Sequence, residues 1–349
     1  MAAPIRDTEW LAWVTKLLEG SAAQAPVSER TPSGSFRCLV DEQPTHLVPE
    51  RLLRQLPRTA GADELFVNPR CHLSTDREIP SGPRTAAAAL SIANDGQATI
   101  AWLGDPATES WMPFWLSDEL GALVGELRED AAKMRGLPAK LRDRLWQAQI
   151  LVDSGFENSR KKKWSETAER CRERFRGEGY APVSGLIHPF QLGALRSHFR
   201  RQIRKGAYPL GDDQSPRRYI AHNDPVARFF HLQLTKAVSE MVGEAVQPSY
   251  VHMASYQSGA RLEKHTDREQ CEFSITMCVD YAPEPRTATP WPLYLDTHSG
   301  NVTVHQALGD GLLYRGRELP HYRKTLAEGN TSTSIFFHYV AEDFDGALG

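Results

Sequence analysis

A histidine and an aspartate separated by one residue, with a second histidine much later in the chain, are the side chains best suited to chemistry. His265 and Asp267 follow the alternating segment 250–256, and His321 lies in segment 309–323, after a Gly-Asp-Gly turn and a short apolar run. Two imidazoles and one carboxylate can occupy one side of an octahedral Fe(II) and leave the other positions open for substrate and dioxygen. The pattern therefore predicts that His265, Asp267 and His321 converge on one iron atom.

The residues around this pattern make it more specific than His-x-Asp alone, which chance would produce in a chain with 12 His and 44 acidic residues. Alternating strands are predicted at 250–256 and 273–279, and a last strand at 332–340 follows His321. The alternative is that the three side chains are surface polar groups at the ends of strands.

The segment that follows Asp267 has the alternation expected of a barrel wall. Apolar and polar side chains take turns along it, which predicts one face in the core and one polar face that lines a pocket. The apolar set is Phe273, Ile275, Met277 and Val279, and the polar set is Ser274, Thr276, Cys278 and Asp280.

This region resembles the Fe(II)/2-oxoglutarate-dependent dioxygenases, and most closely their prolyl-hydroxylase-like branch. The match covers residues 180–341, nearly half of the chain, and consists of a Tyr, Gly, Leu and His-x-Asp series, further strands, a Gly-Asp-Gly turn, a His and a C-terminal strand. The resemblance implies a double-stranded β-helix (a jelly-roll or cupin-like barrel) with the metal at its mouth. It implies that His265, Asp267 and His321 are the iron ligands.

One part of the family pattern is missing. The family usually has an Arg or Lys about ten residues after the second His, where it pairs with the distal carboxylate of 2-oxoglutarate, and residues 330–334 contain no cation. A buried dianion still needs a partner. Arg323 is the favoured substitute, because it lies two residues from His321 on the same side of a strand, and Arg315 is the second. By resemblance, Tyr281 binds the co-substrate and Tyr256 lines the pocket.

The remaining segments predict an α+β fold in which helices brace the barrel and a mostly helical α+β domain precedes it. The predicted N-terminal accessory or substrate-recognition domain spans residues 1–170, and the oxygenase domain spans 171–349. Helices are predicted at 8–19, 49–56, after Ser117, over 160–176, 189–204 and 224–242. A polar loop at 208–222 is predicted as a lid over the barrel mouth.

Composition restricts the partners and the compartment. The net charge of −3 gives no electrostatic reason to expect nucleic acid or an anionic membrane surface as a partner. The first residues lack the regions of a secretory signal, and five scattered cysteines fit a reducing compartment. A cytoplasmic enzyme without a membrane partner is therefore expected.

Taken with the resemblance, the sequence predicts an Fe(II)- and 2-oxoglutarate-dependent dioxygenase that uses dioxygen to hydroxylate an unactivated C–H. The expected substrate is an amino-acid side chain, free or in a peptide or protein. An oxygenase acting on a small natural-product intermediate is an alternative, as are desaturation and cyclisation. A cupin-like metal-dependent hydrolase or isomerase and a non-catalytic binding module are two further alternatives. The presence of Asp267 disfavours halogenation, which in this family needs that ligand to be absent.

Overall fold

The computed structural model describes residues 36–40, 47–57, 64–75, 90 and 99–349. The helix predicted at 8–19 lies outside these residues. Within them, no helix combines the length and the apolar character needed to cross a membrane. The five cysteines are all buried, and none forms a disulfide.

The α-helices of the described residues all precede strand 246–256 in the sequence. Their bounds are α1 Glu50–Leu53, α2 Asp118–Glu129, α3 Ala139–Gln147, α4 Phe156–Glu178, α5 Pro189–Arg204, α6 Pro225–Gln233 and α7 Thr235–Val242, with a 3₁₀ turn at Ala131–Gly136. As predicted, Ser117 caps α2 by accepting a hydrogen bond from the Leu120 amide. The observed bounds of α5 are those predicted, since proline stands at its first position.

Two helix predictions need correction. The basic run at 160–163 does not open a helix, because α4 already begins at Phe156 and continues to Glu178, where Gly179 ends it in a left-handed conformation with φ 77°. The single helix predicted at 224–242 is two helices, α6 and α7, that join at Leu234. The predicted domain boundary after residue 170 falls within α4 and stays a prediction.

Within the described ranges, fifteen strands form four antiparallel sheets. The strands that precede the barrel are β1 Phe66–Val67, β2 Cys71–Thr75, β3 Thr99–Gly104, β4 Trp111–Leu116 and β5 Leu151–Val152. The others are β6 Tyr180–Val183, β7 Arg218–His222, β8 Val246–Tyr256, β9 Leu262–His265, β10 Phe273–Ala282, β11 Leu293–Thr297, β12 Gly300–Val304, β13 Gly311–Arg315, β14 His321–Arg323 and β15 Thr331–Ala341.

The last eight strands wind between two sheets. The larger sheet has the order β6-β13-β10-β15-β8-β7, and the smaller sheet has the order β12-β11-β14-β9. Along the chain, β8 belongs to the larger sheet, β9 to the smaller, β10 to the larger, the β11–β12 hairpin to the smaller, and so on to β15. This alternation is the winding of a double-stranded β-helix. The predicted fold class is therefore confirmed by the strand order.

The larger sheet has two distinct faces. Val251, Ile275 and Phe337 belong to an apolar core that continues into the helices and the N-terminal sheets. Side chains on the opposite face point into the barrel, where Tyr256 and Cys278 contact Trp291 and other apolar groups near the smaller sheet. Alternation along each strand thus separates a helix-facing core from a barrel interior.

The register of β10 departs from simple alternation. The pairing of β10 with β15 shifts between Cys278 and Asp280, so one extra residue is inserted on β10. Asp280 was predicted on the pocket face with Ser274, but it lies on the helix-facing side, where its Oδ1 accepts a hydrogen bond from Arg196 Nε at 3.0 Å. The same shift turns Tyr281 into the barrel interior.

Candidate metal centre

The three predicted ligands come together at the mouth of the barrel. Strands β9 and β14 pair so that His265 and His321 are direct partners in the register, and their ring centroids are 4.4 Å apart. Asp267 follows β9, and its amide donates to the Gly316 carbonyl at 2.8 Å. The nearest carboxylate oxygen, Oδ1 of Asp267, is 3.6 Å from Nε2 of each histidine. Two nitrogens and one oxygen therefore face one point.

The backbone fixes which nitrogen of each imidazole faces this point. His265 Nδ1 is 2.8 Å from the Glu263 carbonyl, and His321 Nδ1 is 3.0 Å from the Leu319 carbonyl. A carbonyl only accepts, so each Nδ1 carries the hydrogen and each neutral ring presents the Nε2 lone pair to its partners. Such orientation of a ligand histidine by a neighbouring acceptor is a regular feature of metal sites.

The electrostatics of the three groups fit a cation. The nearby Asp267 carboxylate raises the pKa of His265, although burial opposes the effect. Burial lowers the pKa of His321. Burial also opposes ionisation of Asp267, but the neighbouring His265 and His321 bring its pKa below its usual value. One ionised carboxylate and two imidazole nitrogens form a set of ligands that suits a divalent transition metal.

A cavity of about 380 Å³ opens over these residues. Its walls include Tyr250, His252 and His338 from the larger sheet, Tyr314 from β13, and Asp213 and Arg268 from loops. Most of the lining residues carry a polar or charged group, and these groups can orient a ligand in the cavity.

Arg323 lies inside the barrel and is 5% exposed. Its Nη1 donates to the Trp291 carbonyl at 2.7 Å, its Nη2 is 3.4 Å from Oε1 of Gln306, and the guanidinium lies over the Trp291 ring. Burial lowers its pKa, and no carboxylate of the described part of the chain pairs with it. A buried cation without an anionic partner is expensive unless a ligand provides one.

Other donors lie on the same inner surface. Thr276 Oγ1 is fully buried without a hydrogen-bond partner among the described residues. Tyr281 OH accepts from Asn330 Nδ2 at 2.8 Å, so its own hydrogen is available to a ligand. Tyr256 OH accepts from Arg218 Nη1 at 3.0 Å. Tyr256 and Tyr281 both belong to the apolar cluster of the barrel interior.

Arg315, the second candidate for the co-substrate, is not among these residues. It lies on the helix-facing side of β13, where its guanidinium covers the Phe175 ring and Nη1 is 3.4 Å from Glu318 Oε1. Its position on β13 explains the difference, because alternation turns the odd-numbered residues of this strand towards the helices.

Several site residues were not predicted from the sequence. The segment 208–222 is a loop only in its first part, because Arg218 opens β7 on the edge of the larger sheet. The Arg218 guanidinium is buried and pairs with Asp212 in the loop over the mouth. Ser274 and His338 contact each other beside Asp267. The alternation of β10 predicts that Ser274 faces the barrel interior. The positions of Arg218 and His338 depend on strand pairing, which the local sequence does not show.

Comparisons with known proteins give structural likeness only. No family model matches the chain, and no curated protein is significantly similar to it. Among solved structures, a Pseudomonas putida prolyl-4-hydroxylase is 15% identical with a TM-score of 0.41, covering 49% of this chain and 98% of that chain. A Trichoplax adhaerens prolyl hydroxylase in complex with a hypoxia-inducible-factor fragment is 12% identical with a TM-score of 0.44, covering 52% and 92%. The epimerase SnoN from nogalamycin biosynthesis is 14% identical with a TM-score of 0.43, covering 50% and 83%. At these values the likeness concerns the shape of about half of the chain.

Proposed function

We propose that this chain is a non-haem Fe(II)- and 2-oxoglutarate-dependent oxygenase, with His265, Asp267 and His321 holding the iron. The observation that supports the proposal most is that one barrel contains both a set of metal-ligand side chains and a buried Arg323 without an anionic partner among the described residues. A metal site alone would also suit a hydrolase, but it would not explain an unpaired cation in the interior.

Each group then has a defined task. Arg323 binds the distal carboxylate of 2-oxoglutarate through a charge-assisted contact, and the hydroxyls of Thr276 and Tyr281 donate to the same molecule. The bound iron supplies activation of dioxygen, so that substrate C–H, 2-oxoglutarate and O₂ become C–OH, succinate and CO₂. The protein positions the two organic molecules and keeps bulk water out of the interior.

The mouth favours a substrate that carries charge of both signs. The Arg218–Asp212 pair is neutral overall, which leaves Asp213 and Arg268 as lining charges without an ion-pair partner in the described structure. The Arg268 guanidinium lies over the Tyr250 ring, 5.3 Å from its centroid. An amino acid, free or in a peptide, offers both an ammonium or amide donor and a carboxylate or carbonyl acceptor. We therefore propose hydroxylation of an amino-acid side chain as the reaction.

A cupin-like hydrolase is the second candidate. Its main support in the sequence was the missing cation at 330–334, and a buried Arg323 removes that support. The two functions differ in their need for oxygen, since a hydrolase would act anaerobically with Zn(II) or Mn(II).

The test is an anaerobic titration with Fe(II) followed by 2-oxoglutarate. We expect a weak visible charge-transfer band that requires both additions, and succinate on admission of air with amino acids or peptides. Asp267→Ala should weaken Fe(II) binding and so reduce the band at limiting Fe(II), whereas Asp343→Ala, which removes an exposed carboxylate, should leave it unchanged. Absence of the band and of succinate in the wild type would reject the proposal.

A further inference from the structure

The Asp267 carboxylate uses its two oxygens differently. Oδ1 faces the two Nε2 atoms at 3.6 Å, and Oδ2 is 3.2 Å from the Ser274 hydroxyl. A carboxylate is free to rotate about its last bond unless something holds the second oxygen. Ser274 provides that contact from β10, across the barrel mouth from the strand that carries His265.

Ser274 is itself held in one orientation by His338. The Ser274 hydroxyl and His338 Nδ1 are 2.8 Å apart. A hydroxyl has one hydrogen, and the charged Asp267 acceptor is preferred over the neutral Cys271 carbonyl at 3.5 Å. His338 Nδ1 must therefore donate to Ser274, which defines a directional chain from His338 through Ser274 to Asp267.

His338, the first residue of this hydrogen-bond series, is held by the larger sheet and by neighbouring side chains. His338 is on β15, and its carbonyl accepts from His231 Nε2 at 2.7 Å. Its ring contacts the Tyr250 ring, with centroids 4.6 Å apart.

Gly316 closes the remaining space around the carboxylate. A Cβ at this position would be 2.5 Å from Asp267 Oδ2 and 2.7 Å from Ser274 Oγ. The carboxylate is therefore confined by Gly316 on one side and directed by the Ser274 hydroxyl on the other.

We infer that Ser274, supported by His338, is a positioning residue that holds Asp267 in its metal-binding orientation before the metal arrives. The inference depends on the metal site of the proposed function, but not on 2-oxoglutarate or oxygen. Loss of an outer hydrogen bond of this kind weakens metal binding about 10- to 100-fold.

Co(II) is a suitable probe, because its visible absorption reports both affinity and ligand arrangement. We expect Ser274→Ala to weaken Co(II) binding at least 10-fold and to change the absorption bands. His338→Phe should weaken it by a similar factor, whereas His338→Asn, which retains a donor near the Nδ1 position, should weaken it less. The matched control is Ser249→Ala, since Ser249 is a buried serine whose hydroxyl donates to the Gln270 carbonyl at 2.6 Å.

A double variant separates positioning from general packing. Because His338 acts through Ser274, the Ser274→Ala/His338→Phe protein should bind Co(II) no more weakly than Ser274→Ala alone. Additive losses, or unchanged affinity in Ser274→Ala, would overturn the inference and leave the proposed function standing. A wild-type protein that binds no Co(II) would overturn both. Co(II) binding without any effect of 2-oxoglutarate on the spectrum would reject the proposed function alone.

Discussion

Replacement of Arg323 by methionine should have opposite consequences for the free protein and for co-substrate binding. In the free protein the guanidinium is buried, with the Trp291 carbonyl and ring and the Gln306 amide as its neighbours. Methionine fills much of the same volume and removes the charge. The two effects on stability then oppose each other, and their sizes decide the expected result.

The free energy of unfolding should change little. Loss of a charged donor to the Trp291 carbonyl costs about 1.5–3 kcal/mol, and loss of the contact with the ring costs up to about 2 kcal/mol. Against these stands relief from an uncompensated buried charge, about 3–5 kcal/mol. The sum is near zero, so the melting temperature of the metal-free Arg323→Met protein should lie within a few degrees of the wild type.

Binding of 2-oxoglutarate should weaken strongly, because the distal carboxylate loses its cation. Truncation of one partner in a buried charged contact costs about 2–5 kcal/mol, or at least about 30-fold in affinity. At a concentration of 100 times the wild-type dissociation constant, the co-substrate stabilises the wild type by about 2.7 kcal/mol, and a 30-fold weaker variant by about 0.9 kcal/mol.

The assay is calorimetric melting of the Mn(II)-loaded protein without oxygen, with 2-oxoglutarate or with 2-oxopentanoate, which lacks the distal carboxylate. The wild type should bind 2-oxoglutarate more tightly than 2-oxopentanoate by the same factor by which Arg323→Met weakens 2-oxoglutarate binding. The variant should bind both acids equally. Arg315→Met is the control, since Arg315 lies outside the barrel over Phe175.

Two results would refute this reasoning. If Arg323→Met retains the wild-type preference for 2-oxoglutarate, another group binds the distal carboxylate. If the metal-free variant melts more than about 10 °C lower, Arg323 is a structural residue whose charge is already compensated. Recovery of the preference in Arg323→Met/Asn330→Arg, which places a cation in segment 330–334, would support the assignment.

Three further predictions concern single positions. Gly316→Ala should weaken Co(II) binding at least 10-fold and destabilise the fold by about 1–3 kcal/mol, because the new methyl overlaps Asp267 and a backbone carbonyl. Normal Co(II) affinity of this variant would contradict the prediction. Burial lowers the pKa of His188 to about 4, so the contribution of neutral His188 to the free energy of unfolding is full above the unfolded pKa near 6.5. This contribution falls by about 3 kcal/mol as the pH falls from there towards 4. In urea unfolding, His188→Asn should lose less stability than the wild type over this pH range, and an equal loss would count against the assignment. Arg196→Met removes a fully buried partner of Asp280 and should cost about 3 kcal/mol in urea unfolding, with a loss under 1 kcal/mol as the contrary result.

Local sequence signals were sufficient for the start of two helices and for the alternation of one barrel strand. The proline at the start of α5 and the Ser117 cap of α2 determine where those helices begin. Alternation along 273–278 separates the core face from the interior face, and the Gly-Asp-Gly turn precedes the strand that leads to His321. These signals depend on neighbours within a few residues, so the sequence displays them directly.

The remaining features depend on contacts between distant segments. Ser274 and His338 are 64 residues apart in the chain, and only the pairing of β10 with β15 brings them together. Gly155 precedes α4 and makes no side-chain cap, so no capping residue marks the start of this helix at Phe156. Arg218 was assigned to a loop because its segment is polar, yet pairing with β8 makes it a strand residue.

The register shift in β10 connects the fold to the proposed chemistry. Asp280 is the one acidic residue of β10, and simple alternation would turn it into the barrel with Cys278, in the region that contains Arg323. The extra residue instead turns Asp280 towards Arg196 and Arg200 on α5, and it turns Tyr281 inwards. The shift thus removes an acid that would neutralise Arg323 and provides a hydroxyl beside it. An interior that holds a cation without its own anion is prepared for an anionic ligand, and this preparation is the physical reason to expect a dicarboxylate co-substrate in the barrel.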